Sequence, residues 1–271
     1  MYYDGYHCLW ALSVQPLFPG SLPMLVSLRS VIVLMAVSVV CFSSCRKEEE
    51  EPPATTPVTP RLTLSVEHHV DGMPVLFDSL AYINEAGHAF SISRIEHYIS
   101  EVVLLGINGT PNDTLHGPFL VNAGSTERFD LGHSHAGEYA GATLLLGLPA
   151  SLNVTGGLPN TVDNLNMAWP GPMGGGYHFL KFEGHFMNGT DLDGFAMHLG
   201  TNACLPVAGI AQPFTLDGAS GTITLRYNMN EMFRTPHTYD LAAGNYSMGN
   251  AALMTQIAEN AADAFTIAYA P

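Results

Sequence analysis

The chain has 271 residues, with 9 lysines and arginines against 24 aspartates and glutamates, and its formal net charge is −15. A chain this acidic is repelled by phosphate backbones, so nucleic acid is not expected as a partner. Of the four cysteines, Cys8 and Cys41 precede the expected mature chain and Cys45 would begin it, which leaves Cys204. We therefore expect no internal disulfide, and the stability must come from the core.

The N-terminal region has the character of an export signal. Residues 1–23 show no clear signal character and are interpreted as the product of an upstream start codon. Residues 24–44 combine Arg29, an apolar run and small residues that end at Cys45, which is the layout of a lipoprotein signal peptide. A single-pass membrane anchor is the alternative, although the apolar run is short for a bilayer. We predict that Cys45 is lipidated and anchors the chain to a lipid membrane as a bacterial outer-membrane lipoprotein, periplasmic or surface-exposed.

The next segment has nothing to bury. Residues 45–60 join a charged block to a Pro/Thr-rich stretch, a composition typical of a disordered tether. Neither an internal repeat nor a second linker follows. Residues 61–271 are therefore expected to fold as one domain.

Strand and turn patterns predict an all-β fold. Alternating apolar positions form three sets, namely Leu62, Leu64, Val66 and His68; Phe195, Met197 and Leu199; and Ile223, Leu225, Tyr227 and Met229. Five dipeptides are of the kind that makes tight hairpin turns: Asp71-Gly72, Asn108-Gly109, Asn188-Gly189, Asp193-Gly194 and Asp217-Gly218. Together they predict an antiparallel β-sandwich.

One helix is expected late in the chain. After Asn250, apolar side chains recur at four-residue spacing at Leu253, Ile257, Ala261 and Phe265. We predict a C-terminal helix that caps one end of the sandwich.

Motifs of the common enzyme classes are missing from the sequence. It contains no GxSxG, HExxH, P-loop or GxGxxG motif, and no paired carboxylates or nucleophile with a base can be picked out. The sequence therefore favours a protein that is not an enzyme.

Histidine and methionine are abundant in the expected mature chain. The 12 histidines include one before Cys45, and the 12 methionines include three, which leaves eleven and nine. Imidazole suits copper, and thioether favours Cu(I). His68 and His198 are each open to two readings, a core histidine or a metal ligand.

The other histidines carry weaker signals. His133 and His135 are typical of a solvated loop, and alternation places His178 and His185 on opposite strand faces. Four more histidines resemble surface or turn residues: His88, His97, His116 and His237.

Several stretches resemble a known family. These are AYINEAGHAFSISRIEHYISEVVLL, GEYAGATLLLGL, NMAWPGPMGGGYHFLKFEG, FAMHLG and LMTQIAENAADAF. In this order they resemble the MbnP-like domain of methanobactin-operon proteins and many Bacteroidetes lipoproteins. The resemblance implies an exported all-β protein that binds copper, in which a tryptophan oxidised to kynurenine joins histidines at the metal. It also implies a di-haem peroxidase-like partner.

The resemblance carries over to individual residues. Trp169 matches the family tryptophan, His198 the histidine of HLG, and His68 the histidine of the first strand. The chain departs from the family where PGPMGGG replaces a second aromatic residue and a polar turn. Met167, beside Trp169, is either a thioether ligand or a gap-filling core residue. Trp169 itself is either part of a metal site at copper, with kynurenine formed from it, or a core anchor beside the corner made by Gly174–Gly176.

The resulting expectation is an exported lipoprotein that captures or delivers copper at the cell envelope through His68, His198, Trp169 and Met167. The alternatives are a structural envelope component and a surface module that binds a non-metal ligand. The second alternative would need a groove of exposed aromatics, for which the candidates are Tyr139, Tyr177, Tyr227 and Tyr246.

Overall fold

A computed structural model describes residues 59–115 and 117–271 of the chain. The predicted signal peptide, Cys45, most of the tether and His116 lie outside the described residues. The strands are β1 (Arg61–Val70), β2 (Met73–Pro74), β3 (Tyr82–Ile83), β4 (Ala89–Ile107), β5 (Asp113–Leu115), β6 (Phe119–Asn122), β7 (Arg128–His133), β8 (Gly137–Leu146), β9 (His178–Asn188), β10 (Asp191–Gly200), β11 (Val207–Ile210), β12 (Phe214–Leu216), β13 (Ser220–Asn228) and β14 (Phe265–Ala270). The helices are α1 (Val162–Asn166) and α2 (Ala251–Ala261), with 3₁₀ helices at Gly171–Met173, Asn202–Cys204 and Met229–Phe233.

The strands form two sheets, which confirms the predicted sandwich. The first sheet has the order β14–β13–β1–β2, with β7 also paired to β1. The second has the order β10–β9–β4–β8–β11, with β12 on β8 and β3, β5 and β6 on β4. All the pairs between these strands are antiparallel except β1 and β13, which run parallel. The long chain between these two strands provides the crossover connection that a parallel pair requires.

The predicted alternation places the core correctly. Leu62, Leu64 and Val66 are buried, as are the apolar sets of β10 and β13. These side chains fill the space between the sheets, where apolar area removed from water contributes about 25 cal/mol per Å².

The turn predictions are partly correct. Asp71-Gly72 and Asn108-Gly109 adopt positive φ at both residues, with values of 50° and 87° and of 54° and 90°. Asp193-Gly194, by contrast, lies inside β10. The β9–β10 turn is completed earlier, where Gly189 takes φ 65° and Asn188 pairs with Asp191.

The predicted helix begins where expected and ends sooner. The Asn250 side chain accepts a hydrogen bond from the Leu253 amide, and Ile257 and Ala261 are buried. Phe265 then opens β14 rather than extending the helix, so α2 is followed by a strand that closes the first sheet. The helix packs against β10.

The described residues all belong to one compact unit. Over 59–115 and 117–271, no helix has both the length and the apolar character needed to cross a bilayer.

Candidate metal centre

A bulge in the β9–β10 hairpin brings two histidines to the same face of the second sheet. Leu199 pairs with Leu180, but Gly200 pairs with His178, so Phe179 is an extra residue in β9. Partners in register point to the same face, and Gly200 shares its face with His198 two residues earlier. His178 therefore lies on the His198 face, which is the outer face of the sandwich.

The two imidazole rings are in contact. Their centroids are 5.1 Å apart and the ring planes are nearly perpendicular, at 89°. His178 is buried and the His198 side chain is 15% exposed.

Hydrogen bonds fix the proton position on each ring. Nδ1 of His178 lies 3.1 Å from the Met167 carbonyl oxygen, and Nε2 of His198 lies 2.8 Å from Oε1 of Glu183. Both oxygens are acceptors, so each of these nitrogens carries the hydrogen. In the neutral rings the lone pairs then lie on Nε2 of His178 and Nδ1 of His198, which are the atoms that would bind a metal. A carbonyl or carboxylate behind a histidine is the usual support of a metal ligand.

Trp169 covers the same two strands. Its ring centroid is 4.7 Å from that of His178, and a Cβ on Gly200 would lie 2.4 Å from the indole Cε3. The indole nitrogen donates to the Met173 carbonyl at 3.2 Å, and Trp169 is only 3% exposed. The tryptophan is therefore both a well-packed anchor and a direct neighbour of the histidines.

A sharp turn at Gly174–Gly176 brings the chain back to Trp169. Gly174, Gly175 and Gly176 have φ values of 111°, 70° and 85°, a region that glycine adopts without strain. A Cβ on Gly176 would lie 2.4 Å from Oδ1 of Asn153. The Trp169 amide donates to the Gly176 carbonyl at 2.9 Å, so the corner folds back on the tryptophan.

Charged side chains surround the histidines on this outer face. Glu183 also accepts from Arg94 at 3.3 Å, and Lys181 donates to the backbone oxygen of Asn166. The hydrogen bond from His198 lowers the pKa of Glu183. The carboxylate therefore stays ionised behind His198.

Burial also controls the charge of His178. Removal from water disfavours the imidazolium form and lowers the pKa of His178 to about 4. The ring is neutral at physiological pH, which is the form that binds metal.

The four predicted ligands lie in two separate parts of the sandwich, the outer face of the second sheet and the interior. Trp169 and His198 belong to this outer-face cluster. Met167 is buried beside it and supplies its carbonyl to His178, so its backbone has an identified role. His68 does not join His198, because β1 belongs to the other sheet and its ring contacts His97 and Tyr227 in the interior.

Two residues of the clusters were missed by sequence reasoning. The prediction that His178 and His185 lie on opposite strand faces was wrong, because the extra residue Phe179 moves His178 to the outer face, where His185 also lies. The bulge is not visible in the alternation, so His178 was not linked to His198. The prediction of His97 as a surface or turn residue was wrong, because the side chain is fully buried in β4. A glycine inside a strand, such as Gly200 two residues after His198, is the signal that could have pointed to a close approach of the tryptophan ring.

No set of three or more His, Cys, Asp and Glu side chains is arranged to hold a metal ion in residues 59–115 and 117–271. A centre on the outer face would therefore use two imidazoles with a group from Trp169. Low coordination of this kind suits Cu(I), whereas structural Zn²⁺ takes four ligands.

Fold and cluster together define a β-sandwich protein with a tryptophan and two histidines converging on one sheet face. The MbnP family matches residues 59–252, so the chain belongs to the MbnP family. Among solved structures, MbnP from Methylosinus trichosporium is similar with a TM-score of 0.45 and 12% sequence identity, covering 79% of this chain and 99% of that chain. A search of curated proteins found no match.

Proposed function

We propose that the chain is an exported lipoprotein that binds copper, as Cu(I), at the outer-face cluster of His178, His198 and Trp169. The observation that supports this most is the contact of two imidazole rings, with centroids 5.1 Å apart, each of which has one nitrogen held by an oxygen acceptor. Capture or delivery of copper requires binding and release, and the proposal assigns no catalytic step to the protein.

The chemistry of the donors fits the metal. Each imidazole offers one nitrogen as a donor, and the ionised Glu183 behind His198 offsets the positive charge of the ion. Trp169 would contribute a nitrogen ligand after oxidation to kynurenine, as the sequence resemblance implies. A di-haem peroxidase-like partner would supply that oxidation.

The non-metal alternative receives less support. Of the four tyrosines considered for an aromatic groove, Tyr139, Tyr177 and Tyr227 are buried and Tyr246 is exposed. A single exposed ring does not make a stacking groove.

Cu(I) competition against a chromogenic chelator tests the proposal. We expect His178→Ala and His198→Ala to weaken binding at the outer-face cluster by about 100-fold, as ligand loss exceeds the effect of losing a supporting residue. His185→Ala is the matched control, because His185 lies on the same strand and is exposed. Unchanged affinity in both ligand variants would reject the site.

Two further measurements address the covalent parts of the proposal. Peptide mass spectrometry of protein from its natural host should find Trp169 as kynurenine, and diacylglycerol on Cys45. An unmodified tryptophan in copper-loaded protein would remove the kynurenine from the ligand set and leave the two histidines. A free Cys45 would reject the lipid anchor.

A further inference from the structure

A second pair of histidines lies between the two sheets. His68 on β1 and His97 on β4 approach from opposite sheets, and their Nε2 atoms are 2.9 Å apart. The ring centroids are 5.2 Å apart at an angle of 70°. His68 is 6% exposed and His97 is fully buried.

The proton count of this pair leaves one nitrogen without a partner. Nδ1 of His68 lies 3.4 Å from the Glu127 carboxylate, so it carries the hydrogen and Nε2 of His68 is an acceptor. His97 must then donate through its own Nε2. Its Nδ1 is buried and has no hydrogen-bond partner among the described residues. A buried polar atom in this condition destabilises the fold, which a purely structural pair would not need to retain.

The His68–His97 pair resembles a set of metal ligands in which a carboxylate holds the far nitrogen of one histidine. Glu127 stands behind His68 in the way that carboxylates stand behind ligating histidines. The hydrogen bond from His68 lowers the pKa of Glu127, so this carboxylate provides a negative charge one ring away from the buried nitrogens. Burial keeps His97 neutral by lowering its pKa well below the usual value.

The neighbours of the pair favour a soft ion and provide access. Tyr227 packs against both rings, with centroid distances of 6.1 Å to His68 and 5.5 Å to His97, and burial raises its pKa, so it is a neutral wall and not a phenolate ligand. A surface cavity of about 350 Å³ reaches His68 and Glu127 from solvent.

We propose that His68 and His97 form a second, interior site that binds a soft monovalent cation of the Cu(I) class between their two Nε2 atoms. The ion replaces the single hydrogen now shared by these nitrogens. The His97 hydrogen moves from Nε2 to Nδ1, and the Tyr98 backbone favours a proton on the ring.

The geometry limits the coordination to two ligands. Glu127 contacts the far nitrogen of His68 and so does not reach the same ion. With metal–nitrogen distances of about 2 Å, a linear site needs the nitrogens about 4 Å apart, so the rings must separate by roughly 1 Å. An ion that demands four ligands finds too few here, whereas Cu(I) accepts two.

Silver(I), a redox-inert monovalent probe, tests the site in the wild-type chain. Imidazole ¹⁵N spectra of labelled protein should show Nε2 of both His68 and His97 shifting on addition of Ag(I). Unshifted Nε2 resonances of these two residues under saturating Ag(I) overturn the proposal, whatever happens at His178 and His198. This measurement needs no variant, so it holds even where a substitution in the core prevents folding.

Cu(I) stoichiometry separates this site from the outer-face cluster. The wild type should bind two equivalents, His97→Phe and His68→Phe one each, and His69→Phe two. His69 is the matched control, since it neighbours His68 on β1 and is paired to Glu67 instead. A single equivalent that is lost in His198→Ala but kept in His97→Phe overturns the interior site and leaves the outer one, and the reverse pattern does the opposite.

Discussion

The two histidine pairs lie on opposite sides of the second sheet, one on its outer face and the other between the two sheets, and they differ in their hydrogen-bond partners. On the outer face, both rings of His178 and His198 have an oxygen acceptor on one nitrogen and an available lone pair on the other. In the interior, His68 and His97 use each other as partners, and Nδ1 of His97 is left over. The interior pair must therefore break the hydrogen bond between its rings to admit a metal, whereas the outer rings each bond to an oxygen instead.

The contrast also shows what fixes a ring in place. The outer pair depends on a loop, because the Met167 carbonyl and the Trp169 ring come from the segment between β8 and β9. The interior pair depends on two central strands of a packed core. Changes in the loop should therefore alter the outer cluster alone.

The largest expected effect comes from the contact between Trp169 and Gly200. In Gly200→Ala the new Cβ would meet the indole ring at 2.4 Å, so we expect a loss of about 3 kcal/mol in unfolding free energy, at the upper end of typical overpacking. Gly209→Ala is the control, because nothing lies within 4 Å of its Cβ position in β11. Urea unfolding followed by tryptophan fluorescence measures both, and equal stabilities would show that the indole moves aside freely.

The next effect concerns acid and the copper-free protein. Burial lowers the pKa of His178 to about 4 in the folded chain, against the ordinary histidine value of 6.5, so the unfolded chain binds more protons between these pH values. Stability from this residue is complete above pH 6.5 and is lost as pH falls towards 4. The loss between pH 7.5 and pH 5 should be about 2 kcal/mol. His178→Gln should remove that part of the difference between urea unfolding curves at the two pH values, while His185→Gln should leave it.

A smaller effect tests the support of His198. Glu183→Gln keeps the shape but removes the charge behind the ring, so Cu(I) affinity at the outer-face cluster should fall by about tenfold. Both proteins should carry His97→Phe, which removes the interior pair. Chelator competition then measures the effect of Glu183→Gln on Cu(I) affinity at the outer-face cluster alone. An affinity equal to that of His97→Phe alone would mean that the carboxylate only orients the ring.

The smallest expected effect concerns His69, which lies next to the interior pair but does not belong to it. His69 is next to His68 but its Nε2 contacts Glu67, a half-exposed ion pair of the kind that contributes less than about 1 kcal/mol. His69→Ala should change stability by no more than that, and Cu(I) stoichiometry not at all. A lost equivalent of copper would move the interior site towards the surface.

Much of this architecture was predictable from the sequence, because alternation follows strand geometry directly. The alternation predicts that Leu62, Leu64 and Val66 lie on one buried face of β1, and all three side chains are buried. The pairing of His178 with His198 was not predictable, since one extra residue, Phe179, shifts the face on which a side chain lies. A bulge is decided by packing across strands and leaves no periodic signal.

His97 illustrates a second limit. It lies in β4, where Ile95, His97 and Ile99 alternate with the charged Arg94 and Glu96. Alternation thus places His97 on the buried face, but it does not say which group the ring meets there. The partner of His97 comes from β1, and only the packing of the two sheets identifies it.

The parallel pairing of β1 with β13 has a consequence for how the chain folds. Residues 61–69 pair with residues 220–228, so one edge of the first strand waits for nearly the last part of the chain, although β2 and β7 can pair with its other edge earlier. Closing so long a loop early is entropically costly, and topologies dominated by distant pairings fold slowly. A nascent chain would leave the backbone N–H and C=O groups on this edge of β1 unpaired until β13 is synthesised, and chaperones that cover such edges would act mainly on this strand.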